Sequence, residues 1–189
     1  MSTKILITFA SWEERFLLGS IDRISQERPD KIIMYFLDDF ADWTSKNRAK
    51  IKSVCLDAKC LMIERTLLVE SPSANWVTIV RDMAQEIPSD ADLIVDLTTM
   101  PREFIWIIFR IVSSKIPGTR FCYSRPTEYG DWLSADSIRP RLVYKLSGLC
   151  QLGLRTLLVV VTGYDADRTQ ELVSTYEPAR TLLALQIGT

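Results

Sequence analysis

Seven consecutive residues, Asp96-Leu97-Thr98-Thr99-Met100-Pro101-Arg102, place a carboxylate, two hydroxyls and a guanidinium within a short reach of chain. Hydroxyls and a guanidinium at a helix start suit a small anion. The leading N–H groups there lack intrahelical partners, and the helix dipole favours negative charge. Pro101 marks that start, since its fixed φ fits the first turn and its missing N–H costs nothing there. Arg102 opposes the dipole, so it calls for an anion, or for a carboxylate such as Asp96 or Glu103. Two readings follow. Either Thr98 or Thr99 caps the helix and Arg102 is solvated, or the turn is an anion-binding site at the carboxyl end of a strand.

A second set of groups is acidic. Asp38, Asp39 and Asp96, with Glu13 or Glu14, follow strand-like runs. Such oxygen ligands would suit Mg²⁺ and the hydrolysis of a nucleotide or phosphodiester. Acids in these positions also form turns and cap helices, so the metal hydrolase stands as the alternative. The 189 residues contain no histidine. That removes Ser-His-Asp and Cys-His nucleophilic sites, HExxH zinc sites and any histidine base, and the chain leans away from being an enzyme. Cys55, Cys60, Cys122 and Cys150 show no CxxC spacing. They read as small core hydrophobes. The first strand is followed by Phe9-Ala10-Ser11-Trp12-Glu13-Glu14, which is neither GxGxxG nor a Walker loop. No dinucleotide cofactor is expected. Trp12 is too large for close backbone approach to pyrophosphate; it either stacks on a base or packs as a hydrophobic staple.

The elements that must position these residues alternate. Residues 4–10 (KILITFA) and 31–37 (KIIMYFL) are apolar, β-rich runs predicted as strands. A third strand lies within 60–69, a fourth over 91–97 and a fifth over 119–124. Between them, helices are predicted over 12–28 (Phe16, Leu17, Ile21 and Ile24 inward), 42–58 (Trp43, Ile51, Val54 and Cys55 inward), 73–87 (Trp76, Ile79, Val80 and Met83 inward) and 101–115. The fold class is therefore α/β, a Rossmann-like, doubly wound, mostly parallel sheet with helices on both faces. In such sheets ligands bind beyond the carboxyl ends of the strands, where strand order reverses. Ser11, Trp12, Asp38, Asp39 and the Thr98–Arg102 turn all belong to that edge.

With 47% hydrophobic and 25% charged residues, the chain can bury a sizeable core. A net charge of −1 gives no drive toward duplex nucleic acid or anionic membrane. No apolar run is long enough to span a bilayer and no signal peptide precedes residue 4, so a cytoplasmic location is expected. Residues 125–140 form a punctuated loop with Tyr129 and Trp132, either a lid or partner contact or an arm covering the core edge. A sixth strand is predicted over 141–146. Residues 157–187 then echo the start of the chain: strand, small residue, aromatic, acid, arginine, helix, X-Pro-X-basic, strand. This organisation suggests a ligand-binding domain over 1–150 and the start of a truncated second strand–helix–strand unit over 151–189. An effector domain is expected beyond it.

The turn Asp96 to Arg102 resembles the strand-four motif of the CRISPR-associated Rossmann-fold (CARF-like) sensor domains of prokaryotic defence proteins. There an aspartate–hydroxyl turn is followed by glycine, a spacer and a basic residue; Met100 stands at the glycine position. The layout of residues 4–146 is similar. The resemblance implies a domain that dimerises and binds a cyclic oligoadenylate across its two-fold axis. Thr98, Thr99 and Arg102 would contact phosphate or ribose, and Ser11 and Trp12 would contribute from the first loop. A nucleotide-binding sensor is thus the expected function, with an interaction domain lacking any small ligand as a further alternative. The helix over 101–115 is apolar all round, from Phe104 to Val112, so its outer face needs a cover. The 125–140 loop, the C-terminal unit or a second subunit would serve, and a two-fold homodimer is the expectation.

Overall fold

The computed structural model describes residues 2–116, 118–125, 143–146, 153–161 and 166–185. The apolar runs KILITF and KIIMYFL form β1 (Lys4–Phe9) and β2 (Lys31–Leu37), almost wholly buried along their length. They are followed by β3 (Leu61–Leu67), β4 (Asp92–Asp96) and β5 (Arg120–Cys122). Between them lie α1 (Glu14–Glu27), α2 (Ala41–Asp57), α3 (Pro72–Gln85) and α4 (Arg102–Lys115), with a 3₁₀ turn, Asp38–Phe40, before α2. The five strands make one parallel sheet in the order β3-β2-β1-β4-β5. The fold is Rossmann-like. The chain winds outward through β1, β2 and β3, then α3 carries it back across β1 to start β4. Strand order therefore reverses between β1 and β4. Right-handed crossovers in opposite directions put the two helix pairs on opposite faces, and α1 packs on α2 while α3 packs on α4.

The chain divides into two compact units, residues 1–128 and 129–189. The second contains β6 (Leu157–Val161), α5 (Ala166–Tyr176) and β7 (Arg180–Ala184), with β6 and β7 paired in parallel. The echo between 157–187 and the start of the chain is thus a second β–α–β unit. The strand predicted over 141–146 is not formed in its described part. Residues 143–146 make a turn closed by the Leu146 N–H on the Val143 carbonyl at 3.0 Å, and Lys145 adopts φ 60°, which no continuing strand accommodates. The loop over 126–140, with Tyr129 and Trp132, lies outside the described residues.

Helix faces follow the predicted periodicity with informative exceptions. Phe16 and Ile24 of α1, Ile51 and Cys55 of α2, and Ile79 and Met83 of α3 are buried. Trp43 is not inward: it is 69% exposed, and Thr44 is buried instead, its hydroxyl donated to the Phe40 carbonyl at 2.9 Å. On α3, Asp82 is fully buried. It accepts the Tyr35 hydroxyl at 3.2 Å and the Arg65 Nε at 3.0 Å, while Arg65 and Lys31 both hold Glu86. This network ties the crossing helix to β2 and β3. On α4, Phe104, Ile107, Ile108, Ile111 and Val112 are buried, whereas Trp106 and Phe109 are 54% and 47% exposed. Those two rings meet edge to face, and Phe109 reaches Phe121 of β5 at 5.8 Å. Among the described residues no helix is long and apolar enough to cross a membrane.

Candidate functional site at the carboxyl edge of the sheet

At the end of β4 the chain turns on Asp96, a buried carboxylate. Thr98 donates its N–H (2.9 Å) and its hydroxyl (2.5 Å) to Asp96 Oδ1, and the same hydroxyl oxygen accepts the Ser124 N–H at 2.9 Å. Thr98 therefore fastens the β4 turn to the chain leaving β5. Thr99 donates its hydroxyl to the Phe9 carbonyl at 2.8 Å, joining the ends of β1 and β4 at the point where strand order reverses. Phe9 stacks on Phe104 with centroids 5.2 Å apart, and Met100 is buried beside this turn. The inner part of the crevice is thus filled by the protein's own side chains. Neither threonine caps α4. Pro101 occupies the capping position in an extended conformation (ψ 142°) and offers no side-chain cap, while its carbonyl accepts the Phe104 and Ile105 N–H groups at 2.9 and 3.2 Å. Arg102 is exposed there, and among the described residues its side chain makes no hydrogen bond or ion pair.

The β1 end is built differently. Ser11 is buried; its hydroxyl accepts the Glu13 N–H at 3.2 Å and its carbonyl accepts the Asn47 side chain at 2.9 Å. Glu13 stands at the start of α1 and takes the Arg15 Nε at 2.5 Å. That hydrogen bond is the main reason the Arg15 pKa is raised, and it neutralises one of the acids on this edge. Trp12 is half exposed and packs against Phe40 (5.2 Å) and Trp43 (5.9 Å, edge to face). The three rings form an outward aromatic surface beside the β1 and β2 ends. Phe40 and Trp43 were missed as site residues because helical spacing assigned Trp43 to the core. The available signal was Phe40-Ala41-Asp42-Trp43, two aromatics three apart at a helix start next to acids.

The acids do not converge. Asp38 accepts the Val69 N–H at 3.2 Å, toward β3, while Asp96 is turned to Thr98. Their strands lie on either side of β1, so the strand ends are roughly 10 Å apart at ordinary sheet spacing. Asp39 is exposed in the 3₁₀ turn. Among the described residues no group of three His, Cys, Asp or Glu side chains is placed to hold a metal ion. Burial, with the Asp96 charge adding, pushes the thiol of Cys122, next to the Asp96 turn, up to about 11.

The structure thus brings Thr98, Thr99 and Ser11 into the frame of the edge and leaves Trp12 and Arg102 on its surface. No protein-family model matches the sequence, and comparison with curated proteins finds no significant match.

Proposed function

We propose that the first unit binds a nucleotide-type ligand across the carboxyl edge of its sheet and works as a sensing module. One observation carries this reading: beside the β1/β4 reversal, an uncapped helix start bearing the exposed Arg102 shares the edge with the aromatic surface of Trp12, Phe40 and Trp43. Aromatic faces take a base by stacking, and a guanidinium at the positive end of a helix takes a phosphate. In this reading Trp12 and Trp43 meet the base and Arg102 the phosphate. Ser11, Thr98 and Thr99 hold the two turns in place.

The likeness of the Asp96–Arg102 turn to the CRISPR-associated Rossmann-fold sensors extends the proposal. The ligand would then be a cyclic oligonucleotide held by a homodimer of a prokaryotic defence protein, with the bound state relayed to an effector domain. The exposed rings of Trp106, Phe109 and Phe121 offer the apolar face such a dimer needs.

Calorimetric titration with ATP and with a cyclic oligoadenylate tests the reading. Losing a hydrogen bond to a charged group costs about 1.5–3 kcal/mol, so Arg102→Ala should weaken binding roughly 10- to 100-fold. If neither ligand binds up to millimolar concentration, the sensor reading fails. Sedimentation at micromolar concentration should show a dimer; a monomer that stays monomeric with ligand would remove the two-fold site.

A further inference from the structure

Cys55 and Cys60 lie away from the carboxyl edge, at the other end of α2. The helix ends on Lys59 at φ 57°, with the Lys59 N–H on the Leu56 carbonyl at 3.1 Å and the Cys60 N–H on the Cys55 carbonyl at 2.8 Å. These two bonds are a Schellman motif. It brings together the side chains of the residue three from the helix end and the residue just after the left-handed turn, which in this motif are frequently an apolar pair. Here both are thiols, 1% and 7% exposed. Each thiol is the leading influence on the other, lowering the Cys55 pKa and raising that of Cys60, and the Cys60 thiol donates to the Leu61 carbonyl at 3.8 Å. The backbone bond also keeps the two residues within reach of the roughly 4.4–6.8 Å between α-carbons that a disulfide spans.

We propose that Cys55 and Cys60 are a redox pair that closes to an intrachain disulfide on exposure to a peroxide, clasping the end of α2 to the start of β3. The Cys55 thiolate attacks one oxygen of hydrogen peroxide and the O–O bond breaks. Cys55 becomes a sulfenic acid, and the departing hydroxide takes up the thiol's proton as water. The Cys60 sulfur then attacks the Cys55 sulfur and the S–O bond breaks. The hydroxyl leaves with the Cys60 proton as a second water. Two thiols are oxidised and one peroxide is reduced. A dithiol reductant reverses the change by exchange. The clasp acts on the helix that carries Trp43 and, through Asn47, holds the Ser11 carbonyl.

Peptide mapping of the folded chain reads this directly. After peroxide treatment, free thiols are blocked with N-ethylmaleimide, and the protein is unfolded and cut with trypsin without reductant. Cleavage after Lys52, Lys59 and Arg65 puts the two cysteines in separate peptides, 53–59 and 60–65. The expected product is these two joined, lighter by two hydrogens and split by dithiothreitol. It should be absent from Cys55→Ser and Cys60→Ser. Should those variants fail to fold, the wild-type rate decides: closure in the folded chain should be roughly tenfold or more faster than in urea. Recovery of 53–59 and 60–65 as separate blocked or over-oxidised peptides would overturn the proposal. So would pairing of either cysteine with Cys122 or Cys150, or closure no faster folded than unfolded.

Discussion

Replacing Asp82 by alanine should be among the costliest single changes in the first unit. Its carboxylate is fully buried and accepts two donors, the Tyr35 hydroxyl at 3.2 Å and the Arg65 Nε at 3.0 Å. Removing it orphans a buried hydroxyl, which costs about 1–3 kcal/mol. Arg65 loses a partner too, but its side chain is 29% exposed and keeps Glu86 at 3.2 Å, so water and that acid recover part of the loss. About 1 kcal/mol is a fair share for that half. The sum, about 3 kcal/mol, sits at the low end for breaking a buried pair. Tyr35→Phe alone should cost about 1 kcal/mol, since Asp82 keeps Arg65. The double variant leaves no orphaned hydroxyl, so it should cost less than the two single changes together by about 1–2 kcal/mol. Urea unfolding followed by circular dichroism measures all three. The alkaline limb gives an independent check. Burial, with the Asp82 charge adding, raises the Tyr35 pKa above its ordinary 10.0. The resulting stability is fully present below that value and is lost as pH rises past it, because the unfolded chain ionises first. Tyr35→Phe should flatten this limb. An Asp82→Ala cost under about 1 kcal/mol, or strict additivity with Tyr35→Phe, would refute the reasoning.

Thr98→Val keeps the shape of the β4 turn but removes a donor to Asp96 and the acceptor of the Ser124 N–H, so it should destabilise by about 1–3 kcal/mol. Faster amide exchange at Ser124 would locate the loss. At the opposite edge, Glu27 accepts both Nη groups of Arg120, at 3.0 and 3.1 Å, and that hydrogen bonding holds its carboxyl below the usual range. Its contribution is present above the unfolded glutamate value and is lost as pH falls through the lower folded one. Arg120→Gln should therefore flatten the acid limb of stability against pH; an unchanged slope would show that the pair is spectator chemistry.

The alternation of strand and helix was legible because each β-strand of the first unit is a short, bounded apolar run and each helix carries a stripe at helical spacing. Strand order was not written in any one residue. It follows from α3 carrying the chain back across β1, and the anchor of that crossing is a polar network of Tyr35, Arg65 and Asp82 drawn from three separate elements. Nothing in the local pattern marks such a network, since Asp82 has the composition of a surface residue. The site was half legible for a related reason. Residue types and spacing located the Asp96–Arg102 turn, yet a hydroxyl that caps a helix and one that bridges two strands look the same in sequence. Thr99 takes the second role because Phe9 ends its strand directly beside it. Trp43 was misplaced because periodicity weighs apolarity and ignores partners: Thr44 satisfied its hydroxyl within its own helix turn, and Trp43 was left to pair with Trp12.

The two β–α–β units separate local instruction from context. In both, the helix ends on a left-handed residue followed by proline. Arg28 (φ 49°) donates its N–H to the Ile24 carbonyl and Glu177 (φ 39°) donates to Val173, each at 3.0 Å. Proline cannot extend the helix, and the turn delivers the chain to a parallel strand beginning at Lys31 or Arg180. Strand identity, helix end and parallel pairing therefore recur wherever this local grammar recurs. Burial does not. Leu6, Ile7 and Ile33 are wholly buried, with β4 beside β1 and helices on both faces. Leu157, Val159 and Val161 are exposed along β6, and Leu182 along β7. An apolar run specifies a strand that can be covered; whether it is covered depends on elements far away in the chain. The same distinction governs the candidate site. Trp12 and Arg102 stand in turns set by local residues, but the edge they share exists only because α3 brings β4 alongside β1.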